Sequence, residues 1–379
     1  MPITALIWTS LIVTLVYAIW ILALLRGWIK LDKITVASPA KQPKVSLIVA
    51  FRNEEEHLPA LLASIALQRY PNKFVELILV DDHSGDRSQQ VIQEFTIKNP
   101  YFSIKLLQLP LDQNGKKAAL QLAYQKANNP IILCTDADCM LPNNWLQISV
   151  NAFHQQQTQM ILGGVKIANS KGFLQYFQSL ELLSLIGSGA GAKGLGQVMM
   201  SNGANIGFRR EILKKIETER LKPETPSGDD LFLTSEVKRI YGQKAIHFIK
   251  NAEHFVSTYA EEKFSDLINQ RVRWVSKSSN YTDVFLLSTS FIVLLENLML
   301  PVLLLTSFFF SPLWPFLLLL WLVKSLVDFL FLYHISHFVS QKQLLKAFSL
   351  MAILYPFFIS YTAIVGQFAS FQWKDRKYS

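Results

Sequence analysis

Apolar positions along this chain follow two rhythms. From Ile3 to Leu25 the run ITALIWTSLIVTLVYAIWILALL carries no charge. At 1.5 Å per residue it reaches across a hydrocarbon core of roughly 30 Å. It has neither the basic n-region nor the small-residue cleavage site of a signal peptide, so the pattern predicts a retained anchor over residues 1–28. The same rhythm returns over 284–370. Val284–Phe309 carries only Glu296, Leu313–Leu332 carries only Lys324 and Asp328, and Ala347–Phe368 carries no charge. The turn Ser311–Pro315 and the polar stretch Gln341–Lys346 separate these runs, which predicts about three spans. Lys324 and Asp328, four apart, share one helix face as a structural ion pair or as a contact for a substrate or lipid head group.

Between residues 43 and 280 short β-rich runs alternate with amphipathic helices. Val45–Ala50, Val75–Val80 and Ile131–Thr135 read as buried strands, and Ser103–Leu107 is strand-like. Leu58–Leu67, Gln89–Ile97 and Lys117–Lys126 have helical spacing. This alternation predicts an α/β domain with a mostly parallel mixed sheet, helices on both faces and ligands at the carboxyl ends of the strands. No GxGxxG follows the first strand, which disfavours a dinucleotide enzyme. Gly163-Gly164 and the glycine-rich Gly187–Gly196 are expected to be flexible segments near the mouth of the site, and they lack phosphate-loop spacing.

Composition sharpens this division. The chain has 379 residues, 50% hydrophobic and 17% charged, with a net charge of +9. That excludes a disordered chain, a disulfide-stapled domain and a wholly soluble enzyme. Five basic residues (Arg26, Lys30, Lys33, Lys41, Lys44) against Asp32 follow the anchor, so the positive-inside rule puts the middle domain in the cytoplasm, at the inner membrane of a bacterium. Three further spans then put the basic tail, 371–379, outside, while its own charge argues for inside. Either 284–309 does not cross fully or the tail is an exception. The basic excess beside the spans suits anionic membrane lipids, and no nucleic-acid motif accompanies it.

Acidic residues gather where ligands are expected. Asp81 and Asp82 end the second strand, and Asp136 and Asp138 follow the IILCT strand as DAD. Carboxylates at i and i+2 can converge on a hard divalent cation that holds a diphosphate. Gly115-Lys116 opens a helix and can offer backbone N–H groups and an ammonium to an anion. Asp229 and Asp230 start a helix, where a carboxylate serves as a base or as a cap. Gln270, Arg271, Arg273 and Trp274 form QRVRW, either a phosphate-neutralising motif or a basic interfacial helix. Cys134 and Cys139 flank the DAD carboxylates and read as free, structural thiols.

In order along the chain stand VSLIVAFRNEEE, ILVDDHSGD, GKKAAL, TDADC, SNGANIGFRR, SGDDLFL and QRVRW. Over about Lys44–Lys277 this series resembles the membrane-anchored and processive family 2 glycosyltransferases of GT-A fold. The tail FQWKDRKY is similar to WKGR-type endings of that group, with Asp375 in place of glycine. Tyr259–Lys263 fill a space where proline and threonine often precede the final motif. The resemblance implies that Phe51, Arg52, Asn53 and Glu54 line the uracil and ribose, and that Asp82 and Lys116 meet the nucleotide. It implies that Asp136 and Asp138 hold Mg2+ or Mn2+ against the diphosphate, and that Asn205 shapes the donor or acceptor pocket. Asp230 would be the general base. Asp229, Gln270, Arg271, Arg273 and Trp274 would gate the acceptor and diphosphate.

The resulting expectation is an inverting, metal-dependent hexosyl- or N-acetylhexosaminyltransferase. Its donor is a nucleotide sugar, expected to be UDP-linked, and its acceptor a membrane-associated lipid or glycan. A single base suffices because the leaving group is a nucleoside diphosphate, unlike the carboxylate pair of a glycoside hydrolase. The alternatives are a processive polysaccharide synthase and, from another class, an inactive membrane scaffold that keeps the fold.

Overall fold

The computed structural model describes residues 2–33, 42–154, 157–216, 229–276, 283–368, 371–373 and 376–378. Ser227 and Gly228 of the SGDD run lie outside them, as do Lys374 and Asp375 of the tail and the side chain of Asp229. The first half of the chain gives α1 (Pro2–Lys30), β1 (Val45–Phe51), α2 (Leu58–Ala66), β2 (Val75–Asp81), α3 (Ser88–Lys98), β3 (Ser103–Gln108), α4 (Lys116–Lys126), β4 (Ile131–Cys134), α5 (Trp145–Ala152), β5 (Met160–Leu162), β6 (Val165–Ile167) and α6 (Gly172–Gly194). The second half gives β7 (Ile206–Arg209), α7 (Glu211–Lys215), α8 (Asp229–Tyr241), β8 (Ile246–Phe248), β9 (Val256–Thr258), α9 (Phe264–Val275), α10 (Val284–Ser307), α11 (Trp314–Phe338), α12 (Phe348–Phe368), β10 (Phe371–Trp373) and β11 (Arg376–Tyr378).

These elements form two compact units, Asp32–Ala168 with Met200–Tyr259, and Met1–Leu31 with Asn169–Met199 and Ala260–Ser379. The first is an α/β unit around a seven-stranded sheet of order β3-β2-β1-β4-β7-β5-β8. Pairing is parallel from β3 to β4, and β7 runs antiparallel to both β4 and β5. All seven residues of β2 are buried, as are all but one of β1, which is why these strands read as mainly apolar runs rather than alternating ones; their buried Ser46 and Glu76 pair with each other. Each large aliphatic side chain buried there contributes about 1.5–3 kcal/mol. A second, two-stranded sheet pairs β6 with β9 in parallel.

The other unit is helical. Four of its helices are long and apolar enough to cross a membrane: Ile3–Lys30, Val284–Ser307, Ser311–Phe338 and Lys342–Gln367. Residues 284–307 therefore have the length of a full span, and the third predicted run extends beyond its expected end at Leu332. Two prolines inside these helices free a carbonyl each, because proline has no N–H to give to residue i−4. Neighbouring helices repair both. Ser360 Oγ donates to Asn297 O, freed by Pro301, at 3.1 Å, and Trp321 Nε1 donates to Ala352 O, freed by Pro356, at 2.9 Å. In hydrocarbon an unpaired carbonyl costs several kcal/mol, so each repair also ties α12 to a neighbour. Lys324 pairs with Asp328 at 2.7 Å, and Tyr17 Oη donates to the other oxygen of Asp328 at 2.6 Å.

Two glycine expectations are corrected. Gly187–Gly194 is the end of the 23-residue helix α6, not a flexible segment. A Cβ on Gly191 would strike the backbone of Leu24, and one on Gly27 would strike the backbone of Gly191. Small residues here let α6 and α1 pack backbone to backbone. Gly163 and Gly164 are likewise filled space, against Asn205 and Phe255.

Candidate active site

The site is assembled in the α/β unit at the carboxyl ends of β1, β2 and β4. Strand ends there expose backbone, and the loops that follow β1 and β2 lace together. Asn53, in the left-handed region at φ 49°, donates its N–H to Ser84 Oγ at 3.0 Å and accepts from Gly85 N at 2.8 Å. Asparagine tolerates that conformation better than most residues. Glu54 N donates to Ser88 Oγ at 2.8 Å, and Glu55 N donates to Asp86 at 3.0 Å. Burial opposes the charge of Asp86, but Ser88 and the Glu55 N–H hold its carboxyl below the ordinary value. Arg52 Nη1 donates to the carbonyls of Asp82 and His83 at 2.8 and 3.2 Å. Phe51 is buried at the end of β1, so its backbone rather than its ring shapes the loop.

The two aspartates of VDD have separate partners. Asp81 is fully buried and accepts from Ser84 and from Gln89 Nε2. Asp82 accepts from Gly115 N at 3.1 Å. Gly115 stands at φ 92°, which favours glycine, and it delivers Lys116 as the first residue of α4.

Lys116 is the electrostatic centre. Its Nζ lies 2.5 Å from Asp136 Oδ1, with both side chains about 30% exposed. Burial opposes its charge, but Asp136, and then Asp230 and Asp138, hold its pKa above the ordinary lysine value. Burial, then Asp136 and Glu54, push the Asp138 carboxyl up. Asp138 accepts from Thr258 Oγ1 at 3.1 Å, a contact made possible where Met140 and Ser257 exchange backbone hydrogen bonds beside the DAD turn. Asp230 enters from the first turn of α8. Its Oδ2 accepts from Gly203 N at 2.8 Å, and a Cβ on Gly203 would stand 3.7 Å from both Lys116 Nζ and Asp230 Cβ. Asp136, Asp138, Asp230 and Lys116 thus converge.

Asn205 follows Gly203 by two residues in the SNGAN turn. It is buried, its Oδ1 accepts from Trp145 Nε1 at 2.9 Å, and its Nδ2 donates to the carbonyls of Gly164 and His254. It braces the SNGAN turn from inside. His254, also buried, keeps its imidazole neutral because burial lowers its pKa to about 3. Burial pushes the Cys134 thiol up to about 12 and raises Cys139 as well, so both free cysteines stay protonated.

The donor set fits a divalent cation in one respect. Among the described residues no group of three or more His, Cys, Asp or Glu side chains could hold a metal. Asp136 and Asp138 offer two crowded carboxylates, which suits an ion such as Mg2+ that takes one or two carboxylates and fills its shell with water and substrate phosphate. They do not make a self-sufficient cage.

The QRVRW residues lie on α9, in the helical unit. Gln270 Nε2 donates to Glu261 Oε1 at 2.6 Å. Arg271, 5% exposed, gives Nε and Nη2 to Glu181, 2% exposed, at 2.8–3.0 Å, and Nη1 to Gln270 Oε1. Its guanidinium also lies 4.2 Å from the Trp274 ring centroid. Arg273 is half-buried. The expected diphosphate contact of Arg271 therefore meets a guanidinium already committed inside its own unit. Thr258 and Glu181 carry no motif and were not anticipated, and Gly203 has no role of its own in the SNGAN run; a lone acid in the apolar run of α6 was the one available signal.

Residues 46–217 match the family model described as Glycosyl transferase family 2. The matched stretch is similar to glycosyltransferase family 2. Among curated relatives, a poly-beta-1,6-N-acetyl-D-glucosamine synthase of Staphylococcus epidermidis is 26% identical over 236 residues, 61% of this chain and 53% of that protein. A probable glycosyltransferase, YdaM, of Bacillus subtilis is 25% identical over 178 residues, 46% of this chain and 42% of that protein. The chain spans about half the length of the curated relatives it matches. Its fold is similar to a mannosyltransferase of Pyrobaculum calidifontis solved in complex with GDP-Man and Mn2+, with a TM-score of 0.61 and 18% identity over 92% of this chain and 97% of the other. The α/β unit is thus a GT-A type domain, accompanied by one N-terminal and three C-terminal long apolar helices.

Proposed function

We propose that this glycosyltransferase moves one sugar, with inversion, from a UDP-linked donor to a hydroxyl of a membrane-held lipid or glycan. The observation that carries this reading is the convergence of Asp230 with Asp136, Asp138 and Lys116 at the carboxyl end of the sheet. The catalytic domain is assigned to the cytoplasmic side by the basic residues that follow α1.

In this mechanism Asp230, held by the Gly203 N–H, accepts the proton of the acceptor hydroxyl as its oxygen attacks the anomeric carbon. The new C–O bond forms as the bond to the diphosphate breaks on the opposite face, so a single displacement inverts the centre. Lys116, kept protonated by its carboxylate neighbours, offsets negative charge on the departing diphosphate. A bound divalent cation, held by Asp136 and Asp138, supplies further neutralisation of that leaving group. The laced loops after β1 and β2 fix the nucleotide side, and Asp82 sets the Gly115 turn.

A processive synthase is the second reading, favoured by the likeness to the poly-beta-1,6-N-acetyl-D-glucosamine synthase. The test is a screen of UDP- and GDP-sugars with Mn2+ and extracted membrane lipids, followed by mass analysis of products. A single added sugar on a lipid supports the first reading, a ladder supports the second, and no transfer or donor binding with any nucleotide sugar contradicts both.

A further inference from the structure

Within the α/β unit, one carboxylate of the DAD turn is braced by a residue 120 positions further along the chain. Asp138 takes a hydrogen bond on each oxygen. Thr258 Oγ1 donates to Oδ2 at 3.1 Å, and Cys139 Sγ, a weaker donor, gives to Oδ1 at 3.6 Å. Asp136 and Glu54 stand close enough to repel this carboxylate. A side chain left unheld there would turn away from its like-charged neighbours. Thr258 itself has little freedom. It pairs with Ile167 of β6, and its carbonyl accepts from Ala168 N at 2.9 Å. Its neighbour Ser257 exchanges backbone hydrogen bonds with Met140 at 2.8 and 3.0 Å, which ties β9 to the end of the DAD turn. A β-branched side chain on a fixed strand has few χ1 positions, so the backbone aims the hydroxyl.

We infer that Thr258 is a positioning residue, whose hydroxyl holds the Asp138 carboxylate beside Asp136 for the divalent cation. The inference rests on the proposed role of those two carboxylates and adds a residue that no motif marks. Groups that hydrogen-bond a metal-ligating side chain fix its orientation, and losing one costs about 10–100-fold in metal affinity. The sign of the effect separates this role from a purely electronic one. A hydrogen bond donated to a carboxylate draws charge from it, so its removal alone would leave a better ligand. Weaker cation binding without the hydroxyl therefore reports orientation.

The test measures Mn2+ binding by calorimetry to the full chain in detergent at saturating UDP, with GDP in its place if UDP supports no uptake. Melting temperature is read on the same preparations. Thr258→Val keeps the branched shape and removes the donor. It is expected to weaken Mn2+ binding by about thirtyfold and to melt as wild type does. Thr258→Ser restores the hydroxyl and is expected to bind Mn2+ within about threefold of wild type. Asp138→Asn is expected to lose at least as much as Thr258→Val. The double variant Thr258→Val/Asp138→Asn is expected to lose no more than Asp138→Asn alone, because Thr258 acts through that carboxylate. Wild-type or tighter binding by Thr258→Val, with Asp138→Asn impaired, overturns the brace and leaves the proposed function standing. Additive losses in the double variant, or a Thr258→Ser as weak as Thr258→Val, also overturn the brace. Wild-type affinity in Asp138→Asn, or no Mn2+ uptake by wild type with either nucleotide, takes the cation from this site and overturns both the brace and the cation of the proposed mechanism. Should Thr258→Val fail to fold, Thr258→Ala decides: weakened Mn2+ binding at the wild-type melting temperature supports the brace, and unchanged binding overturns it.

Discussion

Two ammonium–carboxylate contacts of nearly equal length stand in different settings. Lys324 meets Asp328 at 2.7 Å in the helical unit, and Lys116 meets Asp136 at 2.5 Å in the α/β unit. Around Lys324, Tyr17 takes the second oxygen of Asp328, and the rings of Tyr17 and Tyr355 face the ammonium at 5.5 and 5.7 Å. Its side chain is 1% exposed. Lys116 is 30% exposed and is shared among Asp136, Asp230 and Asp138. Crowded like charges that stay open to solvent hold electrostatic work for a ligand to relieve, whereas a saturated pair holds helices. Glu181–Arg271, buried at 2.8 Å, belongs with the saturated kind.

Breaking either setting gives opposite readouts. Lys324→Met leaves Asp328 short of its partner among apolar helices and is expected to cost about 3 kcal/mol of stability, seen as a lowered melting temperature in detergent. Lys324→Met/Asp328→Leu is expected to recover most of that loss and to transfer at near the wild-type rate. Asp136→Asn does the reverse. It leaves melting unchanged or raised and weakens Mn2+-dependent UDP binding by about a hundredfold, measured by calorimetry. Gly191→Val sharpens the packing side of the comparison: its side chain meets the backbone of Leu24, and a loss of about 2 kcal/mol is expected in the same melting assay.

The smallest effect is a pH dependence. His254 is neutral in the folded state, with its pKa lowered from 6.5 to about 3. The unfolded chain therefore binds an additional proton below 6.5, so stability falls as pH drops through that window. The slope reaches at most about 1.4 kcal/mol per pH unit. The difference in melting temperature between wild type and His254→Gln is expected to change with pH between 7.5 and 5 and to stay constant above 7.5.

The sheet and the carboxylates were legible because their causes are local. Buried parallel strands need continuous apolar runs, and Asp136, Asp138 and Asp230 sit where a strand stops or a helix starts. What escaped depends on partners distant in sequence. Glycines of Gly187–Gly194 looked like loop material because nothing nearby in the chain shows that Leu24 and Gly27 press on them. Thr258 gained its role from a bridge between Met140 and Ser257, and β7 and β8 join the sheet as segments too short to carry a period. The partner of Arg271 is equally remote: Glu181 lies on α6, ninety residues earlier in the chain.

The contrast between crowded and saturated charges is tested most directly by Asp230→Asn, measured for single-turnover transfer and melting temperature on one preparation. The amide oxygen can still accept from the Gly203 N–H, so the fold has no reason to change. The expected result is a rate lowered by about a hundredfold or more, with donor affinity nearly unchanged and melting equal to or above wild type. Transfer at the wild-type rate, or a melting temperature lowered by several degrees with the rate retained, would contradict the assignment of Asp230 to chemistry and the distinction drawn from it.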